Sequence, residues 1–275
     1  MMRSLWTAAS GMKTQQATVD NISNNLSNVN TTGFKKERLE FKSLLYETFK
    51  EAGLVENGGA PVNMQVGHGV RTAASVKTFS QGTFMRTENP IDFTIQGAGF
   101  FAVQNSDGAE VYSRDGSFKM SVYDDALILS DADGRPIMST DDEPITFEGN
   151  MSADQLIVDD QGNFTTMVDG AEVDLGIQMK IVQFQNAQGL KAIGGGLFTG
   201  TEASGEPLVE SENDDLTSSA VVQGGLEGSN VQAVEEMAKS MVEASNAFRE
   251  VTAELQKMKM ENDVGQKNNA PPAQE

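Results

Sequence analysis

The sequence predicts an α+β protein in which terminal α-helices form a coiled coil and flank a central all-β domain of antiparallel hairpins. Apolar residues recur every seven positions near both ends of the chain, which is typical of paired helices. Between the ends, short β-branched and aromatic runs alternate with glycine-containing turns, which is typical of hairpins. The predicted segments are an N-terminal coiled-coil helix at 1–41, a connector or extended arm at 42–85, an acidic β-domain at 86–215, a C-terminal coiled-coil helix at 216–262 and a disordered tail at 263–275.

The N-terminal helix is predicted from about Ser4 to Asn28 by two interleaved apolar rows, with Gln15 as a polar interruption. Its remaining surface is rich in amides, so the helix buries too little apolar area to be stable alone and needs a partner. Gly33 is expected to supply the backbone freedom with which a helix ends. The apolar rows, which we call the N-terminal seam, contain Leu5, Met12, Val19, Ile22, Leu26 and Val29.

The C-terminal helix is predicted from about Asn230 to Met260, with Ser229 and Gln232 as a capping box. A narrow a/d stripe favours a coiled coil, although an ordinary amphipathic helix that covers the central core is the alternative. The C-terminal seam contains Val234, Met237, Met241, Ala244, Phe248, Val251, Leu255 and Met258.

Six tetrapeptides that end in glycine predict the turns of the β-domain, because glycine supplies the positive φ of tight hairpins. In the connector, the spacing of Phe41, Leu44, Leu45 and Phe49 predicts a short helical continuation before a Gly/Asn-rich stretch and an extended arm. The predicted turns are NSDG (105–108), SRDG (113–116), DADG (131–134), DDQG (159–162), MVDG (167–170) and NAQG (186–189).

Composition and charge exclude several classes of function. The chain has no cysteine, so it has no disulfide or thiolate site, and its one histidine, His68, lies in a loop without companion ligands. The net charge is −20, and residues 86–228 carry six basic and twenty-six acidic side chains. Such a segment suits a solvated surface and not nucleic acid, which requires Lys and Arg. No apolar run is long enough to insert into a membrane.

The acidic turns raise a calcium hypothesis, which the residue order does not support. Asp131, Asp133 and Gly134 begin like a calcium loop, but Arg135 and Pro136 break the ligand order. The adjacent acidic pairs at 124–125 and 141–142 point to opposite faces of an extended strand, so they do not form a general acid and base. The triple glycine at 194–196 lacks the lysine of a phosphate loop. We therefore expect no catalytic residue, no metal site and no cofactor.

Both ends of the chain resemble the flagellar rod and hook proteins. The N-terminal resemblance covers SLWTAASGMKTQQATVDNISNNLSNVNTTGFKKERLEF (4–41), and IDFTIQGAGFFAV (91–103), YSRDGSFK (112–119) and GGLEGSNVQAVEEMAKSMVEASNAFRE (224–250) continue it. Within the family, the start MMRSLW and the long connector are most similar to the distal rod type. The family motif consists of Asn24, Asn25, Leu26, Asn28, Thr32, Gly33, Phe34 and Lys35.

The resemblance implies a structural subunit of the distal rod that polymerises into a rigid helical tube and transmits motor torque. It also implies contacts with the proximal rod and hook, and passage unfolded through the flagellar type III export apparatus without a cleaved signal peptide. The subunit would then lie in the basal body, outside the inner membrane. The alternatives are a proximal rod or hook subunit of the same family and, in a different class, a secreted acidic calcium-binding β-protein.

Overall fold

The computed structural model describes residues 2–50, 64–123, 126–147, 151–168, 171–213 and 216–268. Within these ranges the chain forms two α-helices and twenty β-strands. In chain order they are α1 Met2–Ser27, β1 Glu37–Ser43, β2 Tyr46–Lys50, β3 Met64–Gly67, β4 Val70–Lys77, β5 Phe84–Arg86, β6 Phe93–Gln96, β7 Phe100–Gln104, β8 Glu110–Ser113, β9 Lys119–Tyr123, β10 Ala126–Ser130, β11 Thr146–Phe147, β12 Leu156–Val158, β13 Asn163–Val168, β14 Ala171–Gln178, β15 Ile181–Gln183, β16 Lys191–Gly194, β17 Leu197–Thr199, β18 Leu208–Val209, β19 Ala220–Gln223, β20 Gly225–Glu227 and α2 Ala233–Asn268.

The chain divides into two compact units. The helical unit comprises Met1–Leu26, Glu37–Val76 and Gln232–Glu275, and therefore contains both helices and the first strands. The β unit comprises Ser27–Lys36 and Lys77–Val231. Each unit is built from segments that are far apart in the sequence, which local sequence patterns do not reveal. The α+β class is confirmed, whereas a coiled coil between the helices stays a prediction.

In the helical unit, α1 occupies the range that its seven-residue rhythm predicts. The helical continuation predicted at Phe41, Leu44, Leu45 and Phe49 is wrong, because β1 and β2 occupy this part of the connector. β1 pairs with β4, and β2 pairs with β3 in a second two-stranded sheet. The sequence ERLEFKS of β1 alternates charged and apolar residues, and this period of two outweighs the helix-like spacing of the four apolar residues.

The C-terminal helix differs from the prediction at both ends. It starts at Ala233, and the predicted capping box is wrong, because the hydroxyl of Ser229 accepts a hydrogen bond from the Val231 N–H (3.2 Å) in a turn that precedes the helix. Residues 263–268 are helical and not disordered, because no proline stops the helix before Pro271. Residues 269–275 lie outside the described ranges. Strands β19 and β20 also fall inside the segment 216–262.

The β unit is built from antiparallel pairs, as the hairpin pattern predicts. Its largest sheet has six strands in the order β16-β17-β8-β7-β15-β18. Two sheets of three strands have the orders β11-β10-β9 and β12-β13-β14. The chain returns near its end to add β19 beside β6 and β20 beside β5. This return places residues 220–227 in the β unit.

The core of the β unit lies on both faces of β7, because successive residues of a strand point to opposite sides. Phe101 and Val103 belong to the larger apolar cluster, and Phe100 and Ala102 belong to the smaller one. The phenyl rings of Phe101 and Phe118 meet edge to face with their centroids 5.0 Å apart. Edge-to-face rings of this kind add to the stabilisation that burial provides. The β unit therefore has a complete core of its own.

Three of the six predicted turns have the positive φ that was expected of their glycine, namely at Gly108, Gly134 and Gly162. Gly116 and Gly189 are not among the residues with positive φ, and the end of the turn at 167–170 lies outside the described ranges. Gly116 is needed for a different reason, because a Cβ atom there would lie 1.7 Å from the backbone oxygen of Phe93. Close backbone approach is a property of packing and leaves no turn signature.

We expect Gly116→Ala to destabilise the β unit more than Gly108→Ala. Alanine at 108 has open space around its Cβ and meets only the cost of a left-handed backbone, about 1 kcal/mol. Alanine at 116 forces Phe93 of β6 away from residue 116, at a cost of roughly 2 kcal/mol or more. Chemical denaturation followed by near-ultraviolet circular dichroism measures both. Equal losses of stability would contradict the close approach at 116.

Candidate functional site

The side-chain amide of Asn25 joins the family motif to the first strand of the helical unit. It donates from Nδ2 to the Glu37 carbonyl oxygen (2.8 Å) and accepts at Oδ1 from the Glu37 N–H (2.9 Å). Asn25 is buried on α1, so these two bonds satisfy groups that water does not reach. The Asn25 side-chain amide therefore pairs with the backbone of Glu37 in the way that a neighbouring strand would. Asn24 is exposed, whereas Leu26 and Asn28 are half-buried.

Gly33 does not end the helix, as the sequence suggested, because α1 ends six residues earlier at Ser27. Its φ is +65°, and a Cβ atom there would lie 2.6 Å from the backbone nitrogen of Asp115. Only glycine fits this combination of left-handed backbone and close approach. The neighbouring Thr32 is half-buried and hydrogen-bonds to Asp115, whose pKa is raised by burial despite that bond.

The last two residues of the motif pack into the β unit. Phe34 is half-buried, and the Lys77 ammonium lies 5.3 Å from the centre of its ring. Lys35 is almost fully buried, and its Nζ donates to Glu227 Oε1 (2.6 Å) and to the Ser80 carbonyl oxygen (3.0 Å). Burial lowers the pKa of Lys35, although the carboxylate of Glu227 opposes that shift. The lysine of the motif therefore forms an internal ion pair.

The N-terminal seam is partly covered in the single chain. Ile22 is buried, and four other members are half-buried along one side of α1 and the turn that follows it. The side chain of Leu5 lies outside the described part of the structure. The packing of a second helix against this row stays a prediction. The half-buried members are Met12, Val19, Leu26 and Val29.

The C-terminal seam is open to solvent wherever its side chains are described. Val234 is 82% exposed, Met241 72% and Phe248 71%, and Met237 and Ala244 are also exposed. The side chains of Val251, Leu255 and Met258 lie outside the described part. An apolar stripe of this length is unfavourable in water, and its role as a contact surface stays a prediction. The alternative, in which α2 covers a core within its own chain, does not fit these exposed residues.

Carboxylates of the acidic turns pair with basic side chains of the same chain. Arg135 donates from one guanidinium nitrogen to Asp131 Oδ2 (2.9 Å) and to Asp133 Oδ2 (2.8 Å), so both carboxylates already pair with a cation of the chain. His68 has its Nε2 3.8 Å from a Glu47 carboxylate oxygen. Of the adjacent acidic pairs, 124–125 lies outside the described ranges, and Asp142 pairs with Lys180. Among the described residues no three metal-ligating side chains converge.

Three residues that hold the segment 33–36 in place were not predicted from the sequence, namely Arg114, Glu227 and Asn230. Glu227 and Asn230 hydrogen-bond to Lys35 and Lys36 across 192 and 194 residues of chain. Arg114 pairs with Glu227 and so helps to neutralise its charge. The only local signal was one acidic residue between two glycines in GLEG (225–228), which resembles an ordinary surface turn. A contact between residues so far apart in the chain leaves no periodic pattern in the sequence.

The described helices include none that is long and apolar enough for a membrane span. Two family models match the chain: "Flagella basal body rod protein" over residues 5–35 and "Flagellar hook protein FlgE/F/G D1 domain" over residues 94–166. The chain is similar to the flagellar basal-body rod protein FlgG of Borreliella burgdorferi, with 40% identity over 90% of this chain and 91% of the relative. FlgG of Agrobacterium fabrum is 36% identical over 90% and 92%. The flagellar hook protein FlgE of Helicobacter mustelae is 40% identical over 43% of this chain and 27% of the relative.

We expect Asn25→Ala to loosen the connection between α1 and β1, because it leaves the buried N–H and carbonyl of Glu37 without their partner. Each unsatisfied group costs about 1–3 kcal/mol. Hydrogen exchange at the Glu37 amide should become at least tenfold faster. Gln16→Ala, which removes an exposed amide from the same helix, is the control and should leave that amide unchanged. Unchanged exchange in Asn25→Ala would contradict the role given to this side chain.

Proposed function

Because this chain belongs to the family of the flagellar basal-body rod protein FlgG, we propose that it polymerises into the rigid helical tube of the distal rod and transmits motor torque. It is a structural protein and not an enzyme. The rod relatives match along nine-tenths of both chains, whereas the hook relative matches over 27% of its own length. A proximal rod or hook subunit is therefore the weaker assignment.

The exposed C-terminal seam is the observation that carries the polymerisation. Val234, Met241 and Phe248 recur at seven-residue intervals on one side of α2 and are all exposed in the single chain. Covering one such side chain contributes about 1.5–3 kcal/mol, so a stripe of them provides a substantial driving force for association. A contact between two different surfaces that does not close into a ring produces a helical filament. We assign the covering surface to the seams of neighbouring copies.

The remaining segments have corresponding positions in this tube. The helices within 1–41 and 216–262 form the inner coiled-coil layer, the connector 42–85 lies between neighbouring subunits, and the acidic β-domain 86–215 forms the outer layer. The tail 263–275 follows the inner layer. The proximal rod and the hook are the axial partners at the two ends. The chain reaches this location, outside the inner membrane, through the flagellar type III export apparatus without a cleaved signal peptide.

A charged residue in either seam should abolish assembly without unfolding the β unit. Leu26→Asp and Phe248→Asp each place a carboxylate in the proposed subunit contact, where it would be buried without a partner. We expect loss of sedimentable polymer in vitro and loss of motility in cells whose own copy is replaced. The near-ultraviolet circular dichroism of the β unit should stay unchanged.

Val242→Asp provides the matched control for this experiment. Val242 is an exposed apolar residue on the same helix (57% exposed), but it belongs to neither row of the C-terminal seam. It introduces the same charge next to Met241 and should assemble like the unmodified chain. If Phe248→Asp polymerises normally, or if Val242→Asp fails equally, the seam is not the subunit contact.

A further inference from the structure

Glu227 receives four hydrogen bonds from three separated parts of the chain. Its Oε1 accepts from the Lys35 ammonium (2.6 Å) and from the Gly82 N–H (2.6 Å), and its Oε2 lies 3.4 Å from the Arg114 guanidinium. Its backbone oxygen accepts from the Gly33 N–H (2.8 Å). The side chain is 1% exposed, so water does not compete for these bonds.

The two cations are as deeply buried as the carboxylate between them. Arg114 also donates to the Gly97 carbonyl oxygen (2.7 Å), and its guanidinium lies 4.9 Å from the centre of the Phe100 ring. Burial lowers the pKa of Arg114, as it does for Lys35, and Glu227 opposes the shift in both. Two cations and one carboxylate in an apolar surrounding are tolerated only when all contacts form together, because an unpaired charge there is strongly unfavourable.

Asn230 completes the arrangement on the side of the C-terminal segment. Its Oδ1 accepts from the Lys36 N–H (2.7 Å), and its Nδ2 donates to the carbonyl oxygens of Thr78 (2.7 Å) and Ser80 (3.2 Å). Its own N–H donates to the Phe34 carbonyl oxygen (3.4 Å). We call Lys35, Arg114, Glu227 and Asn230 the clasp.

Lys35 and Asn230 of the clasp lie in the two chain segments that lead to the helices. Residues 27–36 follow directly after the part of α1 that belongs to the helical unit, and residues 228–231 lead directly into α2. The clasp therefore holds, side by side within the β unit, the two segments to which the seam-bearing helices are attached. An apolar contact could form in several registers, whereas a buried ion cluster forms in one.

We propose that the clasp is an assembly-positioning device: its closure fixes the two helix-bearing ends of the chain so that both seams are presented together to neighbouring copies. Lys35, Arg114 and Glu227 are its positioning residues, and they act through the segments they hold without touching the neighbour. This inference rests on the proposed polymerisation. It assigns to the Gly-Phe-Lys end of the motif a role separate from the seams.

Lys35→Met and Lys180→Met form a matched pair of variants that separate positioning from stability. Lys180 is the other buried lysine of the β unit, and it pairs with Glu110 (3.2 Å) and Asp142 far along the chain from either helix. Both substitutions should lower the melting temperature. The polymerisation threshold is then measured well below both transitions. We expect it to rise at least about tenfold for Lys35→Met, equivalent to about 1.4 kcal/mol, and to stay within about twofold for Lys180→Met.

Hydrogen exchange in the monomer tests the closure itself. Glu227→Gln keeps the shape of the side chain but removes the charge that both cations need, and it should speed exchange at the Gly33 and Gly82 amides by at least about tenfold. Lys180→Met should leave these two amides protected. Unchanged exchange in Glu227→Gln would overturn the clasp as the closure that holds these segments.

The outcomes also separate this inference from the proposed function. Normal polymerisation of Lys35→Met, or equal impairment of Lys180→Met, would overturn the positioning role and leave the rod assignment intact. If the unmodified chain itself fails to polymerise while the Gly33 and Gly82 amides respond to Glu227→Gln, the proposed polymerisation falls, and with it the positioning role, although the clasp stands as an internal closure.

Discussion

The buried carboxylate of Glu227 is the interaction on which the arrangement of the β unit depends. Without it, two cations would lie unpaired beside the aromatic core, and the Gly82 amide would lose its acceptor. The residues it joins come from the start, the connector, the centre and the end of the chain. The β unit is therefore complete only when both terminal segments have returned to it.

The two units differ in how they satisfy their apolar surface. The β unit buries two apolar clusters, one on either face of β7. The helical unit leaves Val234, Met241 and Phe248 exposed on α2. These exposed side chains are separate from the two buried clusters of the β unit, so another copy could cover them without disturbing that core.

The charge distribution agrees with a structural role. The acidic excess lies in residues 86–228. Some of these carboxylates pair within the chain, as Asp131 and Asp133 do with Arg135. Such a surface stays hydrated, and its negative charge opposes close contact between the acidic faces of two copies.

By itself, the sequence determined the elements that a local repeat encodes: the helix α1, most of α2, the antiparallel hairpins and the positive φ at Gly108, Gly134 and Gly162. The physical reason is that periods of seven and two, and the freedom of glycine, act within a few residues. The tertiary structure alone decided that 37–50 forms strands and that Gly116 and Gly33 sit where no Cβ fits. It alone paired Lys35 with Glu227, because a contact across 192 residues depends on the path of the whole chain and on burial, which no local pattern records.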